Sequence, residues 1–297
     1  MASLLIKILK VLLLLWLLVT MVAFGYLKYT GAWNALFPSS EHDTVGPVLP
    51  VSLESPTVLV FSKTNGFRHE EGINGGVSAL AEIAAANNWG VYATENGAVF
   101  TEANLKRFDV VVFLNASGDM LSDAQEQAFQ RWMETGGGWL GIHAAGDGSH
   151  AKWQWYMDNL IGAEFTAHPM NPQFQRASVV SEADDHPVMW DLPANWDHVE
   201  EWYSWSSSPR ERGFTVLATV DEHSYSPIQT FMGQEKNLRM GDHPVAWSNC
   251  VGLGRSVYLA LGHQAEAFDN REFRRLLENA LVWLVEPRTG STKCVSN

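Results

Sequence analysis

Residues 108–115 read FDVVVFLN, and no other stretch limits the fold as tightly. Side chains of a strand alternate between two faces, so a run that is apolar at every position leaves neither face for water. Such a strand belongs inside a sheet covered on both sides, as in parallel α/β proteins. Its neighbours fit that setting. TVLVFS (57–62), VYATE (91–95) and WLGIH (139–143) read as further short strands. Helical patterns lie between them. INGGVSALAEIAAANNWG puts Ile73, Val77, Leu80, Ile83 and Ala84 on one face. SDAQEQAFQRWMETGGG opens on Ser122, a helix cap with Gln125 as its reciprocal partner, and closes at Gly136. Strand and helix alternate, so the first half is expected to be a doubly wound, mostly parallel sheet with right-handed crossovers.

The second half is less regular. WQWYMDNLIGA (153–163) has helical spacing, while FQRASVV, FTVLATV and VAWSN read as strands. RSVYLALGH (255–263) is an apolar strand ending in histidine. REFRRLLENALVWLV (271–285) is an amphipathic helix with Phe273, Leu276, Leu277 and Ala280 on one side. No internal repeat is visible.

The N-terminus sets a second constraint. From Leu4 to Tyr29 the chain is almost wholly apolar, and Val11–Leu27 carries no charge. With Lys10 and Lys28 flanking, this is the short end of a membrane span. Lys7 and Lys10 precede it and Glu41 and Asp43 follow, which favours a single pass with the N-terminus inside and the rest outside the cytoplasm, on the periplasmic or extracellular face. The alternative is a cleaved signal peptide with Ala23 and Gly25 as a weak cleavage site. The expected organisation is therefore an anchor over 1–30, a Pro-rich linker over 31–56 that tethers the domain, one α/β domain over 57–286 and a polar tail over 287–297. The roughly 240 residues that remain once the N-terminal segment is set aside suit one large domain.

Composition narrows the function. Hydrophobic residues make up 46%, enough for a full core. The 33 acidic residues against 20 basic ones, net −13, argue against nucleic acid, whose phosphates need clustered Lys and Arg. Cys250 and Cys294 have no CxxC neighbour, so a thiolate metal site is not indicated, and a bridge between them would require an oxidising compartment. Thirteen tryptophans suit either a core or a sugar-binding cleft.

Chemistry is expected at the carboxyl ends of the strands, where such sheets place their sites. The loops 62–72, 115–121 and 143–150 then face one crevice. Histidines follow three strands: Arg68 and His69 in FSKTNGFRHEE, His143 and Asp147 in GIHAAGD, His263 and Glu266 in LGHQAE. Three at one edge, in a chain with ten histidines, point to a functional cluster. Further candidates are His168 in FTAHPMNP, Glu200, Glu201, Tyr203 and Arg210 in VEEWYSWSSSPR, and Asp242 and His243 in GDHPVAW. Glu200 and Glu201 alternate sides if extended, so one of them faces the crevice. His186 in DHPVMWDLP reads as a turn residue.

These residue types permit acid–base work or metal binding. A His/Glu set can hold one divalent metal with an open position, although there is no HExxH and no close pair at ligand spacing. There is no G-x-S-x-G for a serine hydrolase. The GGG at 136–138 ends a helix and precedes a strand, the reverse of a phosphate loop.

Taken together, FSKTNGFRHEEGI, GGGWLGIHAAGD, WQWYMDNLIGAEFTAHP, EEWYSW…PR, HPVAW and GLGRSVYLALGH resemble the ThuA-like (trehalose utilisation) family over about residues 57–286. The resemblance implies a flavodoxin-like fold similar to class I glutamine amidotransferases. Those enzymes carry a G-x-C-x-G elbow and a later His and Glu. Here GIHAAG has His143 at the cysteine position and GHQAE offers His263 and Glu266, so glutaminase chemistry is not expected. The family implies carbohydrate metabolism, on a sugar or an oxidised (3-keto) glycoside, with a sugar oxidoreductase as a candidate partner.

On that reading His143, His263 and Glu201 are acid–base groups or metal ligands, with Arg68, His69, His168, Tyr203, Arg210 and Trp155 against the substrate. The alternative is a non-catalytic sugar-binding or scaffold module in which Trp153, Trp155, Trp202 and Trp205 line a groove.

Overall fold

A computed structural model describes residues 2–29, 32–231 and 233–286. In chain order its strands are β1 (Thr57–Phe61), β2 (Gly90–Thr94), β3 (Val110–Leu114), β4 (Gly138–Ile142), β5 (Phe165–Ala167), β6 (Gln175–Ser181) and β7 (Asn195–Glu200), followed by β8 (Ser204–Trp205), β9 (Thr215–Val220), β10 (Ile228–Phe231), β11 (Gln234–Asn237), β12 (Pro244–Val251) and β13 (Gly254–Leu259). Nine of them form one sheet in the order β2-β1-β3-β4-β13-β12-β9-β6-β7. The pairs β1–β2, β1–β3, β3–β4 and β4–β13 are parallel. β1, β3, β4 and β13 are buried along their whole length, as strands of a sheet covered on both faces are.

Helices cover this parallel part. Glu70–Ala86 buries Ile73, Leu80, Ile83 and Ala84, with Val77 packed at the edge of the core. Asp123–Glu134 opens with the Gln125 side chain accepting from the Ser122 N–H at 2.8 Å. Arg271–Val285 buries Phe273, Leu276, Leu277 and Ala280. The last strand, β13, inserts beside β4 and returns antiparallel to β12. From there an antiparallel wing runs through β9 and β6 to β7.

Two expectations need correction here. RSVYLALGH is not one strand to its histidine: β13 stops at Leu259, and residues 260–263 turn away from it. The segment 38–56, expected as part of a linker, is fastened to the domain. Ser39 N–H donates to the Asn65 carbonyl, and Asn65 Nδ2 donates to the Glu41 carbonyl. Asp43 accepts from Lys63 Nζ and from the Gly97 N–H at 2.8 Å, while its carbonyl accepts from Gln125. Gly90 N–H donates to the Glu54 carbonyl. Polar side chains in an aperiodic, Pro-rich stretch are here the means of fastening it along the domain. The tail over 287–297 lies outside the described residues, and with it Cys294 and the question of a bridge to Cys250.

Among the described residues, Leu4–Tyr29 is long and apolar enough to cross a membrane, with mean hydropathy 2.5 and none of it buried against the domain. At 1.5 Å per residue it spans about 39 Å, more than a bilayer's hydrocarbon core.

Gly72, in the first turn of its helix, lets that helix approach the turn after β13. A Cβ there would sit 2.5 Å from the Gly262 and His263 carbonyl oxygens and 2.7 Å from Asn115 Nδ2. Gly72→Ala is therefore expected to destabilise the fold by about 1–3 kcal/mol, measured by urea unfolding. An unchanged midpoint would show that the turn can give way freely.

Candidate functional site

The carboxyl ends of β1, β4, β13 and β7 meet at one point. His143 follows β4 directly and has φ +48°, a left-handed conformation that costs a non-glycine residue of order 1 kcal/mol. Its carbonyl accepts a 2.6 Å hydrogen bond from the Tyr258 hydroxyl, which holds the strained turn from the neighbouring strand. His69 closes the loop after β1, just before helix Glu70–Ala86. His263 ends the turn after β13. Glu200 ends β7 and Glu201 follows it.

β7 lies four strands from β13, about 19 Å away if the sheet were flat. Instead Glu200 Oε2 accepts from the Gly262 N–H at 2.6 Å, so the antiparallel wing curls back over the strand ends. Glu200 Oε1 accepts from the Glu201 N–H at 2.9 Å and from the His263 N–H at 3.3 Å. Asn115, at the end of β3, closes the same joint: Nδ2 donates to the Gly262 carbonyl and Oδ1 accepts from the Ala144 N–H.

Above this joint sit His143, His263, Glu201 and His69. His143 Nε2 is 2.9 Å from His263 Nδ1 and 3.5 Å from Glu201 Oε2. His263 Nδ1 is 3.1 Å from Glu201 Oε2. His143 Nδ1 lies 3.0 Å from the Ala260 carbonyl, which can only accept, so Nδ1 carries the proton and donates. Each of the four offers a ligating atom, and these atoms all lie within 4.8 Å of one another. On the outer side, Glu201 Oε1 meets His168 Nδ1 at 3.0 Å and accepts from Gln173. The buried Tyr203 ring stacks beside His143, centroids 4.2 Å apart.

The charges are ordered by this packing. Burial alone would raise the Glu201 pKa, but the nearby His143 ring, the hydrogen bond with His263 and the charges of His263 and His168 hold it well below the carboxylate range. Burial would likewise lower the His143 pKa, yet the carboxylates of Glu201, 3.5 Å away, and of Glu200 raise it. For His69, burial and the two neighbouring histidines act together and push it well below the ordinary value.

Of the residues marked in the sequence, the structure brings together His69, His143, His168, Glu201, Tyr203 and His263. It does not bring Arg68, Arg210 or Trp155 there. Arg68 is taken up by Glu70, Glu95 and Thr64. Arg210 pairs with Glu182 and Asp242 and lines an open cleft of about 490 Å³ with Ser206, Arg239 and Met240. Trp155 packs on Trp153 and Phe129. Trp153, Trp202 and Trp205 are buried in the core, so they do not form the groove of a sugar-binding module. Glu266 is exposed, and the carboxylate beside His263 is Glu201 instead.

His150 and His243 are structural pins. His150 puts one ring nitrogen on the Gly118 carbonyl and the other on that of Ala116. His243 bridges Glu222 Oε1 and the Tyr203 carbonyl, each at 2.8 Å. His186 accepts from the Val188 N–H in its turn, as the motif DHPVMW implied. Asn115 and Gln173 carried no motif of their own; only their position after a strand and near Glu201 reveals them.

The fold and site define an α/β protein with a buried histidine–carboxylate centre at the carboxyl edge of its sheet. The family model for trehalose utilisation matches residues 57–284, and the chain belongs to that ThuA family. A ThuA-like protein of Bacteroides uniformis is similar in structure, with TM-score 0.67 and 26% identity over 81% of this chain and 96% of that one. A ThuA-like protein of Parabacteroides merdae has TM-score 0.59 and 16% identity over 77% and 89% of the two chains. A cytoplasmic protein of Salmonella typhimurium shares the fold at TM-score 0.53 and 12% identity over 77% and 99%. No curated protein matches the chain.

Glu222 gives a test of the pin behind Tyr203. Burial would raise its pKa, but His243 and the N–H groups of Met240 and Gly241 lower it to about 2. A folded pKa below the unfolded value of about 4.3 means stability present above that value and lost as the pH falls towards 2. Glu222→Gln is expected to cost about 1–2 kcal/mol at neutral pH, and its difference from wild type should shrink between about pH 5 and pH 2 in urea unfolding. A difference that does not change with pH would contradict this.

Proposed function

We propose that this chain is a membrane-anchored enzyme of carbohydrate metabolism acting on a sugar or an oxidised (3-keto) glycoside. The observation that carries the reading is the convergence of His143, His263 and Glu201, with contacts of 2.9–3.5 Å, at the sheet edge where α/β enzymes place their chemistry. The family's description, trehalose utilisation, supports a sugar as the substrate class.

A 3-keto sugar has acidic C–H bonds beside its carbonyl. A base removes the proton at C2, the electron pair forms the enolate, and the enolate expels the glycosidic oxygen from C1 while an acid protonates it. His143 and Glu201 are fully buried, so they set charge and orientation. His168 and His263 have side chains 21% and 13% exposed and form the edge a substrate can reach. With a histidine in the elbow, no thiol or hydroxyl attacks from position 143, and glutaminase activity is not expected.

Full-length protein in detergent is expected to turn over a 3-keto-glycoside. His168→Ala and Glu201→Gln should each lower kcat/KM by about 100-fold or more. A folded wild-type protein that leaves 3-keto-glycosides and their parent sugars unchanged would overturn the reading.

The anchor fits a domain on the outer face. Lys7 and Lys10 precede the apolar run, and Glu41 and Asp43 follow it. Protease added to intact cells or spheroplasts should then degrade the domain. Protection that ends only on lysis would reverse the orientation.

A further inference from the structure

We propose that His69, His143, Glu201 and His263 bind one divalent first-row transition-metal ion. The proposal rests on reading this cluster as the working site, but not on which substrate it meets.

Geometry comes first. Two ligand atoms about 2.1 Å from one ion at tetrahedral angles lie about 3.4 Å apart. The contacts among His143, His263 and Glu201 are 2.9, 3.1 and 3.5 Å, and with His69 all four ligating atoms fall within 4.8 Å. The three imidazole rings surround one point, with centroids 4.5, 4.8 and 4.9 Å apart. Three imidazoles on one tetrahedral ion would stand about 5 Å apart. The longer separations in the set are those to His69, which sits at a loop–helix junction.

Hydrogen bonding alone does not complete the cluster. A proton on His263 Nδ1 can be shared between His143 Nε2 and Glu201 Oε2. That leaves His69 with a buried ring nitrogen, Nδ1, that has no partner. Unpaired buried polar atoms cost of order 1–3 kcal/mol and call for an explanation. The unpaired atom is what marks this cluster as unfinished.

The surroundings are those of ligands held for a metal. His143 donates Nδ1–H to the Ala260 carbonyl, which turns the Nε2 lone pair inward. Glu201 points Oε2 into the cluster while Gln173 and His168 hold Oε1 on the other side. Three imidazoles and one carboxylate suit zinc, cobalt, nickel, iron or manganese, and not the all-oxygen sites of calcium or magnesium. Such an ion would take His263 as a ligand and leave His168, at the accessible edge, to move the proton.

The test uses the full-length chain in detergent, without a histidine tag. Stripped with a chelator and titrated with Zn²⁺, it should bind about one ion per chain. His69→Gln should weaken that affinity at least tenfold. His223→Ala, on an exposed turn, should not change it. Should a ligand variant fail to fold, Co²⁺ added to the stripped wild type gives a second readout. Visible d–d absorption of nitrogen- and oxygen-ligated cobalt supports the site, and the spectrum of free aqueous Co²⁺ overturns it. Folded wild type that binds no Zn²⁺, or His69→Gln with wild-type affinity, also overturns it. Turnover of a 3-keto-glycoside is measured separately, so either result leaves the sugar reading to its own assay.

Discussion

The carboxylate of Glu200 is the joint on which the candidate site depends. It is a buried charge, and it persists because its oxygens accept from the N–H groups of Gly262, Glu201 and His263. Burial would raise its pKa, but the His198 ring, with Nε2 3.5 Å from Oε2, and the charges of His143, His198 and His263 lower it. The bond to Gly262 brings the ninth strand of the sheet to the end of the fifth. Once β7 and the turn after β13 are joined, Glu201 and His263 have little freedom left. Asn115 and Gly72 complete the joint, one by hydrogen bonds to both sides of the turn and the other by having no side chain where the helix passes it. Preorganisation of this kind puts groups on rigid elements before a ligand arrives.

The parallel half of the fold is legible in the sequence because β1 and β3 are apolar on both faces, and only a sheet buried on both sides suits such runs. The wing is harder to read. β7 is NWDHVE, and the side chains it buries are Trp196, His198 and Glu200. Two of those three are polar, so no hydrophobic alternation announces the strand. The curl that follows from Glu200 is a tertiary event with no local signal.

The same division applies to the site. His69, His143 and His263 follow three strands, and the rule that parallel sheets gather their chemistry at one edge is enough to group them. What the sequence does not show is which partner each charge will find. Arg68 and Arg210 carry the right charge for substrate binding but lie nearer to Glu95, Glu70, Glu182 and Asp242. Glu266 lies three residues from His263, yet the turn carries it outward and Glu201 arrives from a distant strand. The segment after the apolar helix is a related case: its prolines read as a linker, while Asp43 and Glu41 fasten it beside the loops of the site edge. The chain leaves its apolar helix at Tyr29, and by Ser39 it is hydrogen-bonded to Asn65 in the loop after β1.

The buried histidine–carboxylate centre leads to the central proposal, that this centre is completed by a metal ion. Anomalous diffraction from a crystal of the full-length chain grown with Zn²⁺ tests it most directly. The predicted result is one peak at the zinc edge about 2.0–2.2 Å from a ring nitrogen of His69, His143 and His263 and from Glu201 Oε2. A well-ordered cluster with no peak, and with His263 still hydrogen-bonded to Glu201, would contradict it.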